Sequence, residues 1–311
     1  MSALALLSRA TAERSMMGGR VSVHALDADD RRPLQAAADG VIDRIGTWAA
    51  RLTRYDAASE LSRLNADPGD RVAIGPTLTA VLDWARGAET MTDGIVDVAM
   101  LDARLAAEAG TGIERPVPAG RRWSLERNAR GAVVRREPGV LLDIDGVAKG
   151  WLADRALAIM AGRSALVDAD GDIAARVAPG DEFLVGVADP GAPDTNLAVL
   201  RLAGTDGPGP DRPRYLGVAT SGTSIHRWTH GPEAAHHLID PATWLPARTD
   251  VVQATVLAES GRLAEAFAKV AVIAGADRAP QLCARAGVLG LLLLTTRGEV
   301  RATPEMLPWL V

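Results

Sequence analysis

The sequence predicts an α+β protein built from antiparallel sheets with packed helices. Residues 121–144 contain short β-like segments separated by turn signals, whereas residues 33–52 and 76–90 place apolar side chains at helical spacing. Strands and helices do not alternate regularly, which argues against a doubly wound parallel sheet. At about 150 residues per domain, the 311 residues suggest two parts. We expect a mainly helical part over 1–120 and an α+β part over 121–311, intertwined as one unit.

The helices are predicted from spacing and caps. In the first, Val41, Ile42, Ile45 and Trp48 recur on one face. Ser59 is placed to cap a short helix over the residues that follow it. Further helices are predicted over residues 146–160 and 263–274, the latter ended by Gly275.

The strands are predicted from short apolar runs between turn residues. Three of them, RRWSLE, AVVRRE and VLLDID, should form an antiparallel meander over residues 121–144. Residues 204–214 form a polar loop rich in Gly and Pro, which favours a surface segment. Other strands are expected near 165–168, 171–177, 183–188, 197–202, 215–220, 251–258 and 289–295.

Composition excludes several classes of protein. The 34 basic and 39 acidic residues give a net charge of -5, which argues against a nucleic-acid partner. The lone Cys283 cannot build a disulfide framework or a cysteine metal centre. The longest apolar run, 288–294, is too short to span a bilayer, and the N-terminal apolar stretch is too short for a signal peptide. We therefore expect no membrane segment and a cytoplasmic protein.

The lysines stand out because nearly every other basic residue is arginine. Lysine occurs only at positions 149 and 269. A lysine ammonium is a compact point charge that an arginine fork replaces poorly, so both positions are candidates for a charge-specific role. Chance is the alternative explanation.

Residues 143–150 combine acids, a glycine and a helix start. Asp143 and Asp145 should end a strand with both side chains on one face, and Gly146 would let a ligand approach the backbone. The helix that follows could hold an anion such as phosphate at its N-terminus, with Lys149 adding a charge. An ordinary strand-to-helix turn explains the same pattern equally well.

A later segment carries two hydroxyl groups. The hydroxyls of Thr220 and Ser221 could donate to a pyrophosphate, although a polar turn is the simpler interpretation.

A pair of histidines follows further along the chain. His236 and His237 precede Asp240, and a histidine beside a carboxylate can serve as a general base. Strand alternation allows at most one of the two imidazoles to enter a given cleft. With His226 and His230 nearby a metal cluster is conceivable, but the spacing matches no compact ligand motif.

Glu265 and Lys269 lie four residues apart on a predicted helix, in the favourable order for an ion pair. Such a pair is usually a solvated surface feature. The residues around it are apolar on every side, which is typical of a buried helix. The pair would then be partly desolvated and a better candidate for function.

Taken together and in order, these segments resemble the ApbE family of FAD:protein FMN transferases. The resemblance spans about residues 16–275. Its motifs are Met17-Gly18, YDAASELSRLN (55–65), TDGIVDVAML (92–101), DIDGVAKGWLADR (143–155), Gly171-Asp172-Ile173, ATSG (219–222) and HLIDPATWLP (237–246).

The resemblance implies an α+β fold whose two lobes hold FAD in a cleft, and a Mg²⁺-assisted transfer of FMN to a threonine of a target flavoprotein. It implies His237 as the base that takes the threonine proton. It also implies a metal bound by the Gly146 carbonyl and by Glu265. The implied FAD contacts are Met17, Tyr55, Asp143, Lys149, Thr220 and Ser221.

Several positions depart from the family pattern. The family pattern has an aspartate and a threonine that help to hold the metal, and this chain has Glu265 and Lys269 in their places. An ammonium offers no ligand to a cation. Lys269 is therefore predicted to take the metal's place. Trp244, Gly19 and Asp170 replace a glycine, a threonine and a glycine. Two alternatives to the transferase follow: a catalytically impaired homologue that binds or delivers FAD, and a hydrolase that splits FAD into FMN and AMP.

Overall fold

An eight-stranded antiparallel sheet forms the centre of the fold. The structure is a computed structural model that describes residues 8–27, 31–111, 122–128, 131–204, 213–224, 227–230 and 233–311. In chain order the strands are β1 (Ser8–Met16), β2 (Gly19–Asp27), β3 (Arg71–Ile74), β4 (Trp123–Asn128), β5 (Gly131–Arg136), β6 (Ser164–Ala169), β7 (Asp172–Val177), β8 (Glu182–Asp189), β9 (Ala192–Ala203), β10 (Arg214–Gly222), β11 (Arg227–His230), β12 (Glu233–His236), β13 (Ile239–Asp240), β14 (Leu245–Pro246), β15 (Val251–Ala258), β16 (Gly290–Thr295) and β17 (Val300–Ala302). The spatial order in the large sheet is β1-β2-β6-β7-β10-β15-β16-β17.

Most helices of the described residues pack against one of two sheets. The helices are α1 (Arg31–Leu52), α2 (Glu60–Ala66), α3 (Pro76–Met91), α4 (Leu101–Ala109), α5 (Ala148–Leu157), α6 (Gly261–Ala274) and α7 (Ala279–Arg285), with a final 3-10 turn at Leu307–Trp309. Helices α1, α5 and α6 pack on one face of the large sheet, whereas α2 and α3 lie against a small sheet of order β3-β5-β4. The alternation of strand side chains gives the large sheet a buried apolar set on each face.

The opposite face of the large sheet is covered by the β8–β9 hairpin. Leu166, Ile173 and Val218 from the sheet pack there against Val185 and Leu200 from the hairpin. The helix face instead buries Val167 on β6, next in sequence to Leu166, among residues of α1 and α5. The sheet is therefore the middle of three layers, and a ligand can enter only where the outer layers leave it open.

The predicted α+β class is confirmed. Helix α1 covers the segment expected to be helical, and β15 has the predicted bounds, 251–258. Ser59 caps α2 as predicted, because its Oγ accepts a hydrogen bond from Ser62 N at 2.9 Å. Helix α6 begins two residues before the predicted start, at Gly261, where the Ser260 side chain caps it.

The predicted strand VLLDID is wrong. Residues 140–144 have an irregular backbone, and the third strand of the small sheet is β3, which pairs with β5. The side-chain amide of Asn65 explains the difference, since it donates to Leu142 O at 2.8 Å and accepts from Leu142 N at 2.9 Å. Asp143 N donates to Val98 O at 2.7 Å. These hydrogen bonds satisfy backbone groups that a neighbouring strand would otherwise bond.

The first part of the chain supplies strands that the sequence did not predict. The β1–β2 hairpin joins the large sheet through the pairing of β2 with β6. Helix α4 was also not predicted. Strands β1 and β2 share a sheet with strands of the second part. The division at residue 120 and the intertwined unit stay predictions. The polar loop at 204–214 falls largely outside the described residues.

Candidate active site

One large cavity lies at the open end of the sheet. Its volume is about 1030 Å³, at the upper end of the roughly 300–1,000 Å³ typical of small-molecule sites. The cavity wall combines sheet strands, the β8 strand, and residues from α4, α5 and α6. It includes nine residues predicted from the sequence: Met17, Asp143, Gly146, Lys149, Thr220, Ser221, His237, Glu265 and Lys269.

Tyr55 is the predicted site residue that the structure leaves outside this cavity. Its side chain is 73% exposed, and the Arg54 guanidinium lies 4.3 Å from the centre of its ring. Arg54 Nε in turn lies 3.9 Å from Asp143 Oδ2. Tyr55 is therefore placed beside the rim, and its predicted contact with the flavin gains no support from the arrangement.

The two acids of the 143–150 turn meet at one arginine. Arg104 Nη1 lies 2.9 Å from Asp143 Oδ2 and 3.3 Å from Asp145 Oδ2. Both acids contact Arg104, although the strand that was expected to place them on one face is absent. Burial alone would raise the pKa of Asp145, but Lys149, Lys269 and Arg104 outweigh burial and lower it.

Sequence reasoning missed Arg104. It is a buried arginine on α4 whose acidic partners follow 39 and 41 residues later in the chain. The only local signal is Glu108, four residues on, whose carboxylate lies 3.0 Å from Arg104 Nε. Such a pair looks like any solvated helix pair, because its burial depends on the distant turn.

Lys149 is held by an acid at the start of β7. Its Nζ lies 3.0 Å from Asp172 Oδ2 and donates to Asp170 O at 3.3 Å. The Asp172 carboxylate raises the pKa of Lys149, so the lysine is charged in the folded protein. The sequence pointed to the Gly171-Asp172-Ile173 motif but gave Asp172 no role.

Glu265 extends from α6 toward the same turn. Its Oε2 accepts a hydrogen bond from Gly150 N at 3.0 Å, which joins α6 to the first turn of α5. The residue is 6% exposed, and its Oε1 has no hydrogen-bond partner among the described residues. Burial, followed by the charge of Asp172, raises the pKa of Glu265 well above its usual value.

Lys269 lies directly against the turn. A Cβ atom built on Gly146 would stand 1.3 Å from Lys269 Nζ and 2.3 Å from its Cε. Only glycine leaves space for the ammonium at this position. The lysine prediction is therefore supported by geometry, because the Lys269 side chain ends at the residue whose carbonyl was implied as a metal ligand.

The residues present do not fit a divalent cation at Gly146. One carboxylate oxygen of Glu265 is committed to Gly150 N, and the position expected to supply a hydroxyl carries a cationic ammonium. A hard cation requires oxygen ligands and is repelled by an ammonium. In the part of the chain that the structure describes, no cluster of three His, Cys, Asp or Glu side chains could hold a metal ion.

Thr220 and Ser221 line the cavity near the end of β10. Thr220 pairs with Thr255 across the β10–β15 ladder, and the two side-chain oxygens lie 2.8 Å apart. One of the two hydroxyls donates to the other, so the pair keeps one hydrogen for a further acceptor. The predicted polar wall is present at this position.

The two adjacent histidines point to different surroundings. His237 lines the cavity. His236 instead packs against the following turn, where its Nε2 lies 3.0 Å from Ala247 O and its Nδ1 accepts from Leu238 N at 3.3 Å. These contacts require the neutral form with the hydrogen on Nε2, and burial lowers the pKa of His236. The question of which imidazole faces the cleft is thus answered in favour of His237.

Trp244 occupies a backbone conformation that favours glycine. Its φ is +63°, and its buried ring lies under the Arg122 guanidinium at 4.3 Å. The ring packs with Met100 and Ile239. Packing therefore offsets the unfavourable backbone, which is costly for a bulky residue. His226 and the side chain of His230 lie outside the described residues.

The fold and the cavity define an α+β protein whose sheet and helices enclose a pocket walled by ionisable side chains, two of them the only lysines of the chain. The chain belongs to the ApbE family, whose family model matches residues 17–292.

Curated relatives carry the name FAD:protein FMN transferase. The protein from Rhodobacter capsulatus is 28% identical over 267 residues, covering 80% of this chain and 49% of that protein. The one from Treponema pallidum is 27% identical over 180 residues, covering 54% of this chain and 47% of that protein. The chain thus spans about half the length of these two relatives.

Solved structures show the same fold. The apo form of the Pseudomonas stutzeri flavinyl transferase ApbE superposes with a TM-score of 0.75 at 17% identity, covering 96% of each chain. The ApbE protein from Thermotoga maritima gives a TM-score of 0.76 at 21% identity, covering 96% of this chain and 98% of the other. Among the described residues, no helix combines the length and apolar character needed to cross a bilayer.

Proposed function

We propose that this protein is an FAD:protein FMN transferase. It takes FAD as substrate, transfers the FMN phosphoryl group to a threonine hydroxyl of a target flavoprotein, and releases AMP. Membership of the ApbE family and the names of its curated relatives support this assignment. A cytoplasmic location is part of the proposal and rests on the sequence alone.

The observation that carries the proposal is the convergence on one cavity of parts that are distant in the chain. Lys149 lies in the first turn of α5, His237 follows β12, and Lys269 lies on α6, yet all three line the same space. The cavity is also large enough for a dinucleotide. These are the groups that a phosphoryl transfer requires.

His237 acts as the general base. It takes the proton of the threonine hydroxyl as that oxygen forms a bond to the phosphorus of the FMN half. The bond between this phosphorus and the bridging oxygen of the pyrophosphate breaks, and AMP leaves with the electron pair. A neutral imidazole near pH 7 suits this task because its reference pKa is about 6.5.

Positive charge for the pyrophosphate comes from the protein. Lys149 is held in its charged form by Asp172, and Lys269 contributes the second ammonium beside Gly146. Preorganised charges of this kind stabilise the negative charge that develops on the phosphate oxygens. No step is assigned to Mg²⁺, because the residues at Gly146 do not fit it.

The test combines FAD with a flavoprotein domain that carries the acceptor threonine. Covalent flavin is read as fluorescence on a denaturing gel. We expect labelling by the wild type and loss of at least about 100-fold in rate for His237→Ala, the range for a general base. His236→Gln is the matched control and should label normally. Absence of labelling by the wild type, next to an active reference transferase, would contradict the proposal.

A flavin-binding protein without transfer activity is the second candidate, favoured by the position of Lys269 against Gly146. It predicts FAD binding without labelling of the acceptor. FAD hydrolysis is tested by incubating the protein with FAD without the acceptor. A hydrolase would release free FMN and AMP.

A further inference from the structure

The turn at Gly146 packs against the ammonium group of Lys269. A Cβ atom on Gly146 would lie 1.3 Å from Lys269 Nζ and 3.3 Å from Lys269 Cδ, so the last atoms of the lysine run along the glycine. The contact joins α6 to a turn more than 100 residues earlier in the chain. It fixes a positive charge at one point of the cavity wall.

The groups around this ammonium are acidic and cavity-facing. Asp145 adjoins Gly146, and Glu265 lies one helical turn before Lys269 on α6. Both acids line the cavity, and Glu265 keeps one buried oxygen without a hydrogen-bond partner among the described residues. The charges of Lys149 and Lys269 act on both acids.

The choice of lysine is informative in this chain. Arginine fills nearly every other basic position, and the planar guanidinium is bulkier than an ammonium. The end of the Lys269 side chain fills the space that a Cβ atom on Gly146 would take. A compact ammonium on a flexible stem therefore lies directly against the backbone of the turn.

We propose that Lys269 serves as a resident monovalent cation, so that the protein binds the pyrophosphate of FAD without a divalent metal ion. The inference rests on the proposed function for the identity of the ligand. It makes Lys269 a binding residue that contacts the phosphate oxygens as a hydrogen-bond donor and point charge. Divalent cations and the ammonium compete for the same position.

Equilibrium binding of FAD tests this directly. The dissociation constant of the wild type is measured by the change in flavin fluorescence, once in EDTA and once in millimolar Mg²⁺. We expect the two values to agree within twofold. Tightening of tenfold or more by Mg²⁺ would overturn the inference and leave the proposed function standing. No FAD binding under either condition would overturn both.

Two variants sharpen the test. Lys269→Met removes the charge and keeps the apolar stem, so it should weaken FAD binding in EDTA by about tenfold. The double variant Lys269→Thr with Glu265→Asp should acquire metal dependence, with at least tenfold tightening by Mg²⁺. Arg297→Met removes an exposed cation from the turn after β16 and is the matched control, for which no change is expected.

A metal readout independent of turnover completes the design. Mn²⁺ is titrated against each protein in the presence of FAD and followed by electron paramagnetic resonance. The double variant should bind one Mn²⁺ per chain, and the wild type should bind none at this site. Equal Mn²⁺ binding by the two folded proteins, checked by circular dichroism, would overturn the inference.

Discussion

The carboxylate of Asp170 fills the space where a side chain at Gly19 would begin. A Cβ atom on Gly19 would lie 1.7 Å from Asp170 Oδ1. The resemblance drawn from the sequence implies that both positions depart from the family pattern. The structure places these two positions in contact.

This contact predicts strong coupling between the two positions. Gly19→Thr alone should destabilise the protein, because the new side chain collides with Asp170, whose φ is +59°. Adding Asp170→Gly should recover most of the loss, with a coupling free energy of about 1–3 kcal/mol. Urea unfolding of the two single variants and the double variant measures it. Additive effects would contradict the explanation.

A second cycle tests the contact between Gly146 and Lys269. Gly146→Ala should leave the fold intact, since the atom it displaces is the far end of a flexible side chain. FAD affinity should fall about tenfold, because the ammonium moves away from the pyrophosphate. In a Lys269→Ala background, Gly146→Ala should have no further effect. An equal loss of affinity in both backgrounds would show that Gly146 acts without the lysine.

His236 should make stability depend on pH below neutrality. Burial, aided by Arg227, lowers the pKa of His236 from 6.5. The unfolded chain then binds the proton first, so the contribution of His236 to stability is complete above about pH 6.5 and is lost as the pH falls through the folded-state pKa. The slope from this one group is at most about 1.4 kcal/mol per pH unit.

His236→Gln should remove that part of the pH dependence. The glutamine amide can still donate to Ala247 O and accept from Leu238 N, so the turn should keep its shape. Thermal unfolding between pH 5 and 8 compares the variant with the wild type. Parallel curves over this range would mean that His236 titrates alike in the folded and unfolded states.

Replacing Gly217 should lower the stability of the protein for a purely steric reason. A Cβ atom there would lie 2.1 Å from the carbonyl carbon of Ser260 and 2.4 Å from Gly261 N, both backbone atoms at the start of α6. Gly217→Ala should therefore cost at least about 2 kcal/mol, since the backbone cannot yield as a side chain does.

The matched control for Gly217 is Gly40, inside α1. No atom outside its own helix and chain neighbours lies within 4 Å of a Cβ built there, and the residue is exposed. Gly40→Ala should stabilise the protein by about 0.5–1 kcal/mol. Chemical denaturation measures both variants. Similar effects at the two positions would contradict the packing argument.

Local patterns in the sequence predicted the elements whose signals are local. Strand β15 is rich in valine and other apolar residues, and α6 is an apolar helix with a serine cap at Ser260, so both were found near their observed bounds. The β1 strand was missed because its buried residues, Ala10 and Ala12, are small and its other residues favour no particular element. Pairing with β2 decides its conformation.

The residues of the candidate site also divide into those that the sequence revealed and those that only tertiary contacts reveal. Resemblance to the family identified nine residues that line the cavity, including both lysines. It did not identify Arg104, because nothing near that residue in the chain reveals its contacts with Asp143 and Asp145. Asn65 has the opposite effect, since its side-chain amide satisfies the backbone of Leu142 in a segment that was expected to form a strand. Both contacts join parts of the chain that only the tertiary fold brings together.

The claim that Lys149, His237 and helix α6 act on one FAD molecule is tested most directly by the position of the pyrophosphate in a crystal of the FAD complex. The account predicts that the ammonium groups of Lys149 and Lys269 lie within hydrogen-bond distance of phosphate oxygens, with the His237 ring on the side of the FMN phosphorus. A pyrophosphate bound in the cavity out of reach of both ammonium groups would contradict it.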